Sequence, residues 1–209
     1  MVWTVFTGDI VNSSDLGKVD LDDLIGAVHD TSDRASRWPG RDARTTQIGF
    51  ARRGGDGWQI ACANLRNPLR LALCVQTAIV ARIDGAASRI AVATASGDML
   101  ATLPDDLNSA HGPAFTRSGR LLDRLEGHRL MAHADGGACD ALFCLADHMA
   151  QGWTQAQARA LSFKLRPDAP ANREIGAALG ISRQAVDQAL HGAGYIALAD
   201  ALARLEDTA

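Results

Sequence analysis

The stretch Thr45-Thr-Gln-Ile-Gly-Phe-Ala-Arg-Arg-Gly-Gly-Asp-Gly-Trp-Gln-Ile-Ala61 decides the fold. Thr45 to Phe50 reads as a strand, Arg52-Arg53-Gly54-Gly55-Asp56-Gly57 as a turn, and Trp58 to Ala61 as the returning strand. Two β-prone runs around a glycine-rich tip make a hairpin. Before it, Val2 to Ile10 reads as a strand whose functional end is Gly8-Asp9. A loop follows at Asn12 to Gly17, then a helix from Asp20 to Trp38 with Leu21, Leu24, Ile25 and Val28 at helical spacing. Pro39-Gly40-Arg41 stops that helix. After the hairpin, Asn67-Pro68 opens an apolar helix to about Arg82, with proline suited to the first turn. Arg89 to Ala95 reads as a core strand, Pro113 to Leu125 as a helix, and Arg129 to His133 as a further strand. The order β-α-β-β-α-β, with a helix and a strand added, is the split ferredoxin-like or palm-like pattern. It predicts an α+β fold: an antiparallel sheet with helices on one face.

Composition sets the outer bounds. The 209 residues are 47% hydrophobic and 22% charged, with a formal charge of -3, values of a globular chain. There is no apolar run of about 18 residues, so no membrane partner is expected. Met1-Val2-Trp3-Thr4 carries no basic region ahead of an apolar stretch, so no secretory signal is expected. Mild acidity excludes coating of nucleic acid by bulk charge. Of the 21 basic residues only Lys18 and Lys164 are lysine, so phosphate-binding roles fall mostly to arginine. Cys62, Cys74, Cys139 and Cys144 form no C-x-x-C pair and read as small buried residues, which points to the cytoplasm. The histidines, His128 and His133 included, show no ligand-like pattern.

From Gly152 the chain turns wholly helical. The expected domains are 1–137 for the palm-like part, 138–151 for a linking helix and 152–209 for a DNA-binding part. In Asn172-Arg-Glu-Ile-Gly-Ala-Ala-Leu-Gly-Ile-Ser-Arg-Gln-Ala-Val-Asp-Gln-Ala-Leu190, Ile175, Ala178 and Leu179 form one apolar face. Gly180 permits a positive-φ turn, Ile181 plugs the corner, and Ser182 suits the N-cap of a second helix. Small Gly176 and Ala177 let the two helices cross closely. The segment resembles the helix-turn-helix of bacterial transcription regulators, whose second helix lies in the major groove. Ser182, Arg183, Gln184, Asp187 and Gln188 would then contact DNA. Arg183 and Gln184 are the best base readers, since arginine matches guanine and glutamine adenine. From residue 151 onward six basic and six acidic residues balance, so phosphate attraction is weak and a homodimer would double it. A packing-only helical hairpin is the plainer alternative.

In the first module, Asp9 ends the first strand and Asp56 sits at the hairpin tip. In a palm-like sheet these are neighbours. Two carboxylates there could hold Mg²⁺ against a nucleotide's phosphates, and Gly54 and Gly55 would admit close approach of a ligand to the backbone. The plainer reading is a loop cap and a turn aspartate. The strand Asp9-Ile10 and hairpin Gly55-Asp56 resemble the metal-binding positions of class III nucleotidyl cyclases. Gly112-Pro-Ala-Phe-Thr-Arg-Ser-Gly-Arg120-Leu121 is similar to their catalytic helix. The resemblance gives Arg120 the place of the transition-state arginine and Arg52 the place of the base-selecting lysine. Thr116 stands in the position of the ribose-orienting asparagine, Ser109 in that of a base-selecting aspartate, and the triphosphate lysine has no counterpart. Losing several positioning groups multiplies the loss in rate, which favours a sensor over a catalyst.

The whole chain resembles the SatD family of bacterial proteins. The motifs are Gly8-Asp9-Ile10-x-x-Ser13, Gly55-Asp56-x-x-Gln59, Gly112-Pro-Ala-Phe115 and Trp153-Thr154-x-x-Gln157. The resemblance implies a cytoplasmic, homodimeric DNA-binding transcriptional regulator. Its degenerate cyclase-like domain would dimerise and sense a nucleotide. The alternative is a Mg²⁺-dependent nucleotidyl cyclase or related phosphoryl-transfer enzyme. A third possibility is a domain used only for dimerisation.

Overall fold

The computed structural model describes residues 1–39, 47–96, 103 and 106–207. These form an α+β structure. Strand β1 (Val2–Ile10) leads through a 3₁₀ turn at Ser13–Asp15 into helix α1 (Lys18–Ala35). The hairpin β2 (Ile48–Arg53) and β3 (Gly57–Ala63) follows, then α2 (Pro68–Arg82), β4 (Ser88–Ser96), α3 (Pro113–Leu122) and β5 (Met131–His133). The remainder is helical: α4 (Gly137–Gln151), α5 (Gln155–Lys164), α6 (Asn172–Leu179), α7 (Arg183–Gly192) and α8 (Tyr195–Asp207).

The strands lie in the order β2-β3-β1-β4-β5. Central β1 pairs antiparallel with both β3 and β4. The first hairpin strand runs three residues past Phe50 before it turns, while Thr45 and Thr46 lie outside the described residues. Two expectations change. The sheet is mixed, because β5 joins β4 in parallel. Helices also cover both faces. On one, Phe6, Ile10, Trp58, Ile60, Ile90 and Val92 meet α1 and α2. On the other, Trp3, Val5, Ala61 and Ala63 meet Ala114 and Phe115 of α3. Strand alternation explains this: both parities of β1 are apolar, so both faces need cover.

Local chemistry sets the helix starts. Asn67 caps α2 by accepting from Arg70 N at 3.2 Å, with Pro68 in the first turn. Thr154 and Gln157 form a capping box at α5. Gly180, at φ 69°, ends α6, and Ser182 accepts from Ala185 N at 3.1 Å to start α7. At Gly176 a Cβ would lie 2.8 Å from the Ile181 carbonyl oxygen, so only glycine allows this approach of the α7 entry. Ile175, Val186 and Leu190 are buried, each stabilising the unit by roughly 1.5–3 kcal/mol. Ile181 does not plug the corner: it is 42% exposed, and Ala177 and Ala178 are exposed as well.

The helices after residue 152 share one core with the sheet. A continuous buried cluster runs from Phe6 and Leu73 to Leu161, Val186 and Leu202. Polar clamps reinforce it. Arg70 of α2 grips Glu206 of α8 at 2.6 and 3.0 Å and the Leu165 carbonyl at 2.8 Å. Asn67 Nδ2 donates to the Leu202 carbonyl at 3.2 Å. At residue 152 the chain passes from one helix, α4, to the next, α5, and the buried cluster includes residues on both sides. Cys62 and Cys74 are buried, whereas Cys139 and Cys144 are exposed on α4, against expectation. Among the described residues no helix is long and apolar enough to cross a membrane.

Candidate functional site

A cleft of about 490 Å³ opens at one end of the sheet. It is lined by Asp9, the 11–14 turn, Asp56, Arg89 and the 125–130 loop ahead of β5. Register creates it: Asp9 stands opposite Gly57 on β3 and opposite Arg89 on β4. The Ile10 N–H donates to the Asp56 carbonyl at 3.2 Å, and the Val11 N–H to the Ala87 carbonyl at 2.9 Å. Asn12 then takes a left-handed conformation, φ 52°, which asparagine tolerates, and the chain turns across the mouth.

The structure brings Asp9 and Asp56 to this one cleft, and gives each a partner. Arg89 holds the Asp9 carboxylate through one guanidinium edge, Nε donating to Oδ1 at 2.9 Å and Nη2 to Oδ2. Ser13 Oγ donates to the Asp56 carboxylate. The strand-end Gly8-Asp9-Ile10-x-x-Ser13 motif and the hairpin Gly55-Asp56 motif therefore close on each other. The side-chain bond to Asp9 raises the pKa of Arg89 against its burial, and the charges of Asp9, Asp56 and Asp123 reinforce it. Residue types alone did not mark Arg89 as part of the site. Its only signal was its place at the start of a strand, and the pairing needs the register across 80 residues.

Mg²⁺ prefers a near-octahedral set of oxygen ligands. Here one of the two carboxylates is taken by a guanidinium, and among the described residues no group of three or more His, Cys, Asp or Glu is arranged to hold a metal ion. As arranged, the donor set fits the ion poorly. The arginines on the cleft are also engaged: Arg129 pairs with Asp140, through Nη1 at 3.0 Å and Nη2 at 2.5 Å. Desolvation works against the Asp140 charge, yet the Arg129 bond and the His133 N–H hold its pKa below the usual carboxylate value. Carboxylates facing a cleft accept hydrogen bonds from hydroxyl or amino groups, and paired arginines offer little to a phosphate chain.

The other expected ligand residues lie elsewhere. Arg52 sits opposite Trp58, on the sheet face of α1, away from the α3 face that carries Asp9. There it bonds Asp22 at 2.6 Å and the Gly55 carbonyl at 2.8 Å. Gly54 and Gly55 form the exposed hairpin tip. Thr116 and Arg120 are exposed, one turn apart on α3, and do not line the cleft. The inward side of α3 instead uses Ser118, whose hydroxyl meets Thr7 Oγ1 at 2.8 Å. Thr7 in turn accepts from buried Gln59 at 3.0 Å, and Gln59 accepts from Arg53 at 2.9 Å. Gln59 of the hairpin motif thus stitches the sheet beside the cleft.

On α7, Ser182, Arg183, Gln184 and Gln188 are exposed. Asp187 accepts from Asn172 Nδ2 at 2.5 Å and approaches Arg183 Nε at 3.5 Å, so it ties α6 to α7. Trp58 is fully buried, a packing residue. His133 is buried beside Thr94, and burial depresses its pKa.

Asp147 supports the cleft from behind, accepting the Leu130 N–H at 2.8 Å while its Oδ1 finds no partner among the described residues. Burial raises its pKa. A carboxyl raised in the folded state gives its full stability below the unfolded value of about 3.9 and loses it as pH rises through the folded value. Asp147→Asn keeps an acceptor for Leu130 and cannot ionise. Thermal unfolding across about pH 4 to 7 should show the wild type losing stability relative to Asp147→Asn. Parallel pH profiles would refute a buried charge here.

Compared with known proteins, the chain matches no family model, no curated protein and no solved structure.

Proposed function

We propose that this chain is a DNA-binding transcriptional regulator. In this reading α6 and α7 are a helix-turn-helix, and the sheet unit is a ferredoxin-like, palm-type domain that dimerises and senses a nucleotide. The observation that carries it is the first turn of α7: Arg183 and Gln184 are exposed ahead of buried Val186 and Leu190. A helix held by its rear face and offering guanine- and adenine-matching side chains at its N-terminal end is the geometry that major-groove reading needs. The β-α-β-β-α-β order with β1 between β3 and β4 supports the palm reading, as do the SatD-like motifs that meet at the cleft.

Selection of bound sequences from random duplex DNA by the full-length protein should enrich a two-fold-symmetric motif. An unenriched pool would overturn the regulator reading.

The cleft supports a second role, as a nucleotide sensor. With Asp9 engaged by Arg89 and Asp56 by Ser13, a ligand would meet acceptors suited to its ribose or base. Nucleotides should raise the unfolding temperature of the wild type without being converted, and Arg89→Ala should change that response. Product formation with Mg²⁺ or Mn²⁺ would replace the sensor by the cyclase alternative, in which Asp9 and Asp56 exchange their partners for the ion.

A further inference from the structure

We propose that Arg34, Arg166 and the Trp38 indole form a binding site for a small inorganic anion, placed where α1, α2 and the end of α5 meet. The inference is independent of the DNA and nucleotide readings. A crevice lined by Thr31, Arg34, Trp38, Cys74, Ser162 and Arg166 lies there, sharing no lining residue with the main cleft. Its free space is about 10 Å³, room for one water-sized atom.

Three observations converge on negative charge. First, two guanidiniums line one crevice, and among the described residues neither forms an ion pair with a carboxylate. Arg34 donates to Thr31 Oγ1 at 3.1 Å, and Arg166 donates through Nε to the Ser162 carbonyl at 2.8 Å and lies over the Phe163 ring. The terminal nitrogens of Arg166 donate to nothing among the described residues. Second, Trp38 is 8% exposed, lines the crevice, and its Nε1–H has no hydrogen-bond partner among the described residues. A buried unsatisfied donor costs about 1–3 kcal/mol, so a missing acceptor is the economical explanation. Third, no carboxylate lines the crevice, although the charge of Asp168 reaches Arg166 from outside it. Burial pushes the Cys74 thiol up to about 12, so it stays neutral. Burial, and next the positive charge of Arg34, lower the pKa of Arg166, with Asp168 acting the other way.

The occupant that answers all three is a single negatively charged atom: a halide, or one oxygen of phosphate entering from the open side. Bound there, it would relieve the repulsion between Arg34 on α1 and Arg166 beyond α5. It would thereby bind the sheet unit more firmly to the helices that carry α7.

The test is thermal unfolding of the full-length protein at fixed pH and ionic strength, with sodium gluconate exchanged for chloride or for phosphate. The unfolding temperature should rise by about 3–6 °C at a tenfold excess over Kd. Arg34→Gln and Arg166→Gln should each abolish the rise, and in gluconate each should unfold above the wild type because the repulsion is gone. Trp38→Phe keeps the ring and should weaken the rise. A response to chloride assigns a halide-sized site, and a response to phosphate alone assigns a seated oxyanion oxygen. Crystals grown in bromide should show an anomalous peak beside the two guanidiniums and the indole nitrogen. Equal unfolding temperatures in all three salts, an unchanged rise in both arginine variants, or a bromide crystal without that peak would each overturn the proposal.

Discussion

Gly8→Ala should lower the unfolding temperature by about 6–12 °C, the equivalent of about 3 kcal/mol in a chain of this size. A Cβ at Gly8 would lie 2.3 Å from Trp58 Cζ2 and 2.5 Å from the Arg89 carbonyl oxygen. Neither neighbour can yield cheaply. The carbonyl is part of the β1–β4 ladder, and the indole is fully buried. Trp58 Nε1 also donates to Ser88 Oγ at 3.0 Å, and that hydroxyl donates to the Asp9 carbonyl at 2.6 Å. Moving the ring would break a chain of bonds that ends on the cleft residue Asp9. The tryptophan lies across the strand from the glycine and fills the space its missing side chain leaves. Gly55→Ala is the control: nothing lies within 4 Å of its added carbon, so it should leave stability unchanged. Chemical or thermal denaturation of the two variants decides the matter. A Gly8→Ala protein as stable as wild type would show that the ring has room to move.

Arg183→Ala with Gln184→Ala should weaken binding to the selected DNA motif by about 10²-fold or more while leaving the fold intact. Each bidentate base contact carries about 1–3 kcal/mol of discrimination. Both side chains are exposed, so their removal leaves no cavity. Arg183 gives up only a 3.5 Å approach to Asp187 at 70% exposure, an ion pair of little worth. Binding to unrelated DNA should fall far less, because net charge beyond residue 151 changes from zero to -1 with the loss of Arg183. Fluorescence anisotropy with specific and scrambled duplexes separates the two effects. Equal loss on both duplexes would make these residues phosphate contacts, and no loss would move recognition off α7.

The element order was legible from local pattern. The hairpin follows from a glycine-rich tip between β-prone runs. The starts of α2, α5 and α7 follow from Asn67, Thr154 and Ser182, whose side chains cap within their own first turn. Such signals act over three or four residues, so sequence holds them whole. Asp9 and Asp56 could be placed near one another for a similar reason, since the connectivity puts their strands side by side.

Contacts between distant segments were beyond that reach. The cyclase resemblance gave Arg52 the place of the base-selecting lysine, but strand parity turns it to the α1 face and onto Asp22. Arg89 and Asp9 lie 80 residues apart, and only the β1–β4 register joins them into the pair that competes with a cation. Ile181 and the exposed cysteines of α4 have residue types that suggest burial, but whether a neighbour covers them is a property of packing.

Taken alone, the chain's periodicity, caps and turn residues determined which segments are strands and helices and in what order they come. They act through backbone geometry over a single turn or hairpin. Which face each strand shows, which charges neutralise one another at the cleft, and how α2 and α8 clamp one core through Arg70 and Glu206 were decided only by the tertiary structure. Burial and ion pairing depend on groups that meet in space, and their energies are set by what surrounds them once the chain has closed.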